Sequence, residues 1–190
     1  LYMIFENELI AGVLIKRYKR FFVDIKVKNK VITAHCPNTG SMMGLLKEGN
    51  KVWLTKSSNE KRKLKYTLQI IEVNKQKVGI NTHITNKIFY EALLNGKIIN
   101  LKKSDILFKE KKFNLKTRFD FFIKNEKKGC FIEVKNVTLS RTKNLAEFPD
   151  AVTERGSKHI KELIIARKKG FDVYLAFVIQ REDCKRFKFL

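Results

Sequence analysis

Long apolar runs are missing from this chain of 190 residues, and no stretch approaches the roughly twenty residues that a membrane-spanning helix requires. No charged-then-apolar leader opens it, so the sequence predicts a cytoplasmic protein with no membrane partner. Cysteine is scarce. Cys36, Cys130 and Cys184 are odd in number, widely spaced and without a Cys-x-x-Cys pair, which argues against a disulfide framework or a zinc site and for reduced, partly buried thiols. Acidic residues are few, 19 against 41 basic ones, leaving a formal net charge of +22. That excess points to a polyanion such as nucleic acid, because neutralising phosphates releases counterions whatever the base sequence. A second reading stands beside it: most of the basic residues are Lys, in a chain also rich in Asn and Ile, as an AT-rich genome produces. Charge alone names no activity.

What is present is the composition of a folded protein, 44% hydrophobic and 32% charged, with enough chain for one good core or two small ones. Residues 9–17, 21–28, 31–35, 51–55, 64–73 and 77–81 are short runs rich in Ile, Val, Phe, Leu and Thr, separated by polar or Gly-containing segments. This predicts a closed or half-closed β-barrel, with Trp53 in its core.

Two segments in this first third invite a functional reading. Lys16-Arg17-Tyr18-Lys19-Arg20-Phe21-Phe22 interleaves four cations with three aromatics, a pattern that holds phosphates and stacks bases; read structurally, Phe21 and Phe22 face the core and the cations are merely solvated. His35-Cys36-Pro37-Asn38-Thr39-Gly40-Ser41-Met42 makes a tight loop. With Gly40 free to take a positive φ, its backbone N–H groups can converge on a phosphate. It is equally an ordinary turn, since its spacing is not that of a P-loop. His35 beside Cys36 lacks a third metal ligand.

Residues 81–95 read as a helix, capped by Asn81 or Thr82, with Ile84, Ile88 and Ala92 on one face and Asn95-Gly96 at its end. Lys102 to Lys116 reads as a charged loop or short strand. Two apolar strands follow, one carrying Asp120 and the other Glu133 and Lys135, then a polar loop from Ser140 to Glu147. A helix after Pro149, capped by Asp150 or Thr153 and ended by Lys168-Lys169-Gly170, leads into an almost unbroken apolar strand, Phe171 to Ile179, expected to be buried. Strand, strand, helix, strand is an α/β crossover order.

The acids carry the chemistry. Two carboxylates on adjacent strands suit Mg²⁺, which accepts one or two acids, keeps several waters and bridges to phosphate, and a neighbouring lysine orients water and neutralises developing charge. Asp120, Glu133 and Lys135 therefore fit a PD-(D/E)xK nuclease-type site. Glu-x-Lys also occurs at Glu110–Lys112 and Glu126–Lys128, and only the copy at Glu133 lies in an apolar strand. The competing reading is a surface ion pair on an edge strand.

Across nearly its whole length the chain resembles the sugar fermentation stimulation protein A (SfsA) family, through KRYKRFF.D at Lys16–Asp24, HCPNTGSM at His35–Met42, VWL followed by KRKL.YT, R.DFF at Arg118–Phe122, EVKNVTL at Glu133–Leu139 and FPDAVTERG.KH..EL at Phe148–Leu163. The resemblance implies an α+β and α/β two-domain architecture: an OB-like β-barrel over 1–81, a helix and linker over 82–112, and a PD-(D/E)xK nuclease-like mixed-sheet domain over 113–190. It implies DNA binding with little sequence preference and a regulatory role in sugar, notably maltose, metabolism; Mg²⁺-dependent nuclease activity at Asp120, Glu133 and Lys135 is the alternative. Asp120 and Glu133 match its metal-binding acids. Arg17, Tyr18, Lys19, Arg20, Asn38, Thr39, Gly40 and Ser41 match its N-terminal motifs, and Asp150, Glu154, Arg155, Lys158 and His159 its helix segment; of these, all but Asp150 and Glu154 are candidate DNA contacts. Glu154 with Arg155 also reads as a capping charge and a surface pair, and His159 as packing against the sheet. Family members continue for some forty residues past the position of Arg186, and the chain begins with Leu1-Tyr2 ahead of Met3, so the resemblance further implies a C-terminally shortened chain.

Overall fold

Period-two alternation between Leu9 and Gly79 produces six strands, β1 (Leu9–Tyr18), β2 (Phe22–Val27), β3 (Lys30–His35), β4 (Lys51–Lys56), β5 (Tyr66–Val73) and β6 (Gln76–Gly79), within a few residues of the expected runs. The computed structural model describes residues 4–98, 106–124, 128–151 and 153–190; the Leu1-Tyr2-Met3 start, the first part of the stretch from Lys102, and Glu126 lie outside the described residues. The strands form one sheet in the order β3-β2-β1-β4-β5-β6, and His35 pairs with Thr67 to bring β3 back to β5. Leu14, Val23, Ile25, Val52, Leu54, Leu68 and Ile71 are fully buried inside it, each stabilising the fold by about 1.5–3 kcal/mol. Two expected core aromatics are not in the core. Trp53 sits half-buried on the outward face of β4 with the ammonium groups of Lys51 and Lys77 over its ring, and Phe21 is 46% exposed in the β1–β2 turn.

The remaining elements are α1 (Thr85–Leu94), β7 (Ile106–Lys112), β8 (Arg118–Lys124), β9 (Cys130–Val137), β10 (Leu139–Thr142), β11 (Leu145–Phe148), α2 (Glu154–Lys168), β12 (Asp172–Ile179) and β13 (Arg186–Phe189). The chain divides into two compact units. One joins the barrel, up to Ile84, to Asn136–Ala151 and Ile179–Leu190; the other holds Thr85–Lys135 and the helix-to-strand segment up to Val178. The second unit thus differs from the expected 113–190. In the barrel's unit, β10-β11-β13 form a small sheet, and Gly79 N donates to Gln180 O. These strands are short, and β10 and the turn after it are polar, so Ser140 to Glu147 reads as a loop in sequence although it is a hairpin.

The second unit is built on the sheet order β12-β9-β8-β7. Phe89 and Leu93 of α1 pack on Phe121, Ile123, Ile132 and Val134, while Leu163 and Ala166 of α2 pack on Phe119, Phe122 and Phe131. Neighbouring strand residues alternate between these clusters, which places the helices on opposite faces. The buried face of α1 is Thr85, Phe89 and Leu93, one residue on from the expected stripe. Thr153, rather than Asp150, caps α2, its side chain accepting from Gly156 N. Among the described residues β12 stands at the edge of the sheet with mixed exposure, where its apolar sequence predicts a buried strand. Gly129, in the β8–β9 connection, has φ +96, and a Cβ there would lie 2.5 Å from Phe122 Cζ.

Candidate active site

Strand β8 breaks its alternation at Asp120. Phe121 faces the α1 cluster but Phe119, two residues earlier, faces the α2 cluster. On the other side the β7–β8 ladder steps from Lys109–Phe121 to Lys111–Phe119, with Glu110 at φ 52. The β8–β9 ladder runs to Phe121–Ile132. One step further, Val134 N donates to the Asp120 carboxylate, Oδ2, at 2.7 Å. A side chain thereby takes the place of a backbone acceptor, leaving an acid in the gap between two strands.

Glu133 faces the α2 side of β9. Its side chain is only 5% exposed, so it is no surface ion pair on an edge strand. Oε1 accepts from Lys135 Nζ at 2.7 Å and contacts His159 Nδ1 at 2.5 Å. Oε2 is buried and has no hydrogen-bond partner among the described residues. Burial, then the nearby charge of Glu133, raises the Asp120 carboxyl above its ordinary value, against the opposing pull of Val134 N–H, the Asn86 amide and Lys135. Glu133 is thus buried and Asp120 half-buried, the two are close enough to repel, and one Glu133 oxygen has no partner among the described residues.

A hard cation would relieve both the repulsion and the orphaned oxygen. No group of three His, Cys, Asp or Glu side chains among the described residues is gathered for a metal ion, but Mg²⁺ needs only one or two carboxylates when water and substrate phosphate complete its octahedron. The donor set fits such an ion. By contrast, the Glu-x-Lys copy at Glu110 is a surface feature, its side chain 60% exposed and 3.7 Å from Arg118.

The other candidate residues divide. Arg17 does not present a free guanidinium: Nη2 donates to Asn38 O at 2.7 Å, Nη1 to Gly40 O at 3.1 Å and Nε to Arg20 O at 3.0 Å. It braces the Asn38–Ser41 loop from within the barrel's unit. Tyr18 stacks on Phe22 and donates to Asp24; Lys19 and Arg20 turn the chain at φ 46 and 62. Asn38 is buried and its side chain accepts from Gly40 N, so that N–H is not free to meet a phosphate; Thr39 and Ser41 are exposed. Gly40 is not at positive φ, contrary to expectation. It is needed for space, because a Cβ there would meet Asp150 Oδ2 at 2.3 Å. In the second unit Arg155 is exposed, Lys158 donates to Lys116 O at 3.0 Å, and His159 joins the acids.

Comparison with known proteins divides the sequence in two near residue 81, assigning to the second family model the stretches 136–151 and 179–190 that cluster with the barrel in the fold. The SfsA N-terminal OB domain matches residues 15–80, and the sugar fermentation stimulation protein RE domain matches residues 83–190. A sugar fermentation stimulation protein homolog of Pelagibacter ubique is 54% identical over 186 residues, covering 98% of this chain and 80% of that protein. The chain belongs to the sugar fermentation stimulation protein family. A Bartonella quintana family member is 42% identical over 187 residues, 97% of this chain and 80% of its own. The solved SfsA of Pyrococcus furiosus, in complex with Ca²⁺, superposes with a TM-score of 0.85 at 24% identity over 96% of this chain and 77% of that one, a likeness of fold. The family's OB-like domain followed by its second domain is therefore the architecture here. Among the described residues no helix is long and apolar enough to cross a membrane.

Family motifs and apolar context lead to Asp120, Glu133 and Lys135. They do not lead to Asn86, whose Nδ2 donates to Asp120 Oδ1 at 2.8 Å. In sequence it is one more polar residue near a helix start, where Asn ordinarily caps.

Proposed function

We propose that this protein binds DNA with little sequence preference and hydrolyses its phosphodiester bonds at Asp120, Glu133 and Lys135 with Mg²⁺. The observation that carries the reading is the buried Oε2 of Glu133, without a hydrogen-bond partner among the described residues, beside a second, half-buried acid and a lysine. Asp120 and Glu133 would hold the cation, which supplies charge neutralisation at the scissile phosphate and a more acidic bound water. Lys135 Nζ, fixed at 2.7 Å from Glu133 Oε1, orients the attacking water and faces the charge that builds on the phosphate oxygens. The Pyrococcus furiosus complex with Ca²⁺ supports a hard divalent cation as ligand of this fold. The net charge of +22 supports the polyanionic substrate.

A second reading rests on the same charge and on the family's name: a DNA-binding regulator of sugar metabolism, maltose included, in which the nuclease-like unit is only a scaffold. One experiment separates them. Linear, plasmid and single-stranded DNA are incubated with the protein in Mg²⁺, Mn²⁺ or EDTA. The expected result is salt-sensitive binding to all three and metal-dependent cleavage that Glu133→Ala abolishes without loss of binding. Binding without cleavage in either metal selects the regulator, and a folded sample that binds none of the three at low salt refutes both.

A further inference from the structure

We infer that Asn86 and His159 are positioning residues that hold the Asp120 and Glu133 carboxylates in the orientation a divalent cation requires. The inference rests on the metal-site reading above and assigns to two helices the control of that site. Of the four carboxylate oxygens, three are tethered. Asp120 Oδ1 is held by Asn86 Nδ2 at 2.8 Å and Oδ2 by Val134 N at 2.7 Å, while Glu133 Oε1 is held by Lys135 Nζ at 2.7 Å and His159 Nδ1 at 2.5 Å. Only Glu133 Oε2 has no partner among the described residues.

A carboxylate tethered through both oxygens, or through one oxygen by two donors, loses the rotation about its terminal bonds that would otherwise spread its lone pairs over many directions. Ligands fixed in this way bind metal more tightly because less order must be created on binding. Neither tether comes from the strands that carry the acids. Asn86 stands in the first turn of α1, whose Phe89 and Leu93 anchor it to one face of the sheet. His159 stands in α2, anchored to the other face by Leu163 and Ala166, with its ring edge-on to Phe119 at 6.4 Å and its side chain 13% exposed. Lys135 cannot replace His159, because it lies two residues along the same strand as Glu133 and moves with it.

The test measures cation affinity directly. Mn²⁺ and Ca²⁺ binding to the full chain is followed by titration calorimetry for wild type, Asn86→Ala, His159→Ala, His159→Asn and His159→Leu, with melting curves on every sample. Removing either tether is expected to weaken both cations by roughly 10–100-fold. His159→Asn, whose amide NH₂ can take the place of Nδ1, recovers most of the affinity; His159→Leu fills the space without a donor and does not. A merely structural histidine reverses that order, since Leu then serves at least as well as Asn. Alanine variants that bind as tightly as wild type, or a Leu variant that recovers with Asn, overturn the inference. Wild type that binds neither cation overturns it together with the metal-site reading, a different result from wild type and variants binding equally.

Discussion

Glu133→Gln separates a metal site from an ordinary buried ion pair, because the two make opposite predictions for stability. The substitution keeps the side-chain volume and removes the charge. Two donors then face a neutral acceptor instead of a carboxylate, Lys135 at 2.7 Å and His159 at 2.5 Å. The His159 bond falls from about 1.5–3 to about 0.5–1.5 kcal/mol and the Lys135 ammonium, still charged, loses its anionic acceptor, a combined loss of roughly 2–3 kcal/mol. Against this, the buried atom that lacks a partner among the described residues becomes a neutral amide nitrogen instead of an ionised oxygen, so the part of its desolvation cost that comes from charge is relieved, and the repulsion that raises the Asp120 carboxyl disappears. The terms nearly cancel. Without metal the variant should melt within about 1–2 kcal/mol of wild type, against the about 3–5 kcal/mol that breaking a self-sufficient buried pair costs.

Metal restores the difference. A cation at a hundredfold excess over its dissociation constant stabilises the folded protein by about 2.7 kcal/mol, or roughly 5–11 °C for a chain of this size. Calorimetric melts of both proteins in EDTA and in rising Mg²⁺ or Mn²⁺ should show that shift in wild type alone. A metal-free variant destabilised by the full ion-pair cost, or equal metal shifts in the two proteins, would refute the reasoning.

Three further outcomes follow from the geometry. Arg17→Ala removes three donor bonds to backbone carbonyls and should destabilise the barrel's unit by about 2–3 kcal/mol, with faster amide exchange at Gly40; Arg17→Lys should recover little, lacking the planar fork. Arg141 holds the buried Glu147 carboxyl down to about 2 from an ordinary 4.5, so the stability it contributes is present above pH 4.5 and is lost as pH falls toward 2. Acid titration of Arg141→Ala should accordingly flatten that loss. Gly129→Ala should cost about 1–3 kcal/mol from its positive φ, with Phe122 forced to move, as denaturant unfolding will show; an unaffected midpoint would contradict the close approach.

Much of this fold is written in short-range pattern. The six barrel strands follow from alternation because each has one face turned to a single core, Val23 and Ile25 against Asp24 and Lys26. Asp120 and Glu133 stand out for the inverse reason, as acids in otherwise apolar strands. What escapes the sequence is set by tertiary neighbours. β12 has the composition of a buried strand and lies at an edge, and the β10–β11 hairpin carries Ser, Arg and Thr where a strand pattern is expected. Arg17 looks like a phosphate ligand until the loop carbonyls it holds are known. His159 and Asn86 meet the acids only through helix packing, which no local spacing encodes.

The most direct measurement is the position of a bound Mn²⁺, located by anomalous diffraction from crystals of the protein grown or soaked with the ion. The account predicts a peak within coordination distance of Glu133 Oε2 and one oxygen of Asp120, and no such peak in crystals of Glu133→Gln. Mn²⁺ bound elsewhere with this pair of acids bare, or a peak that persists unchanged in the variant, would contradict it.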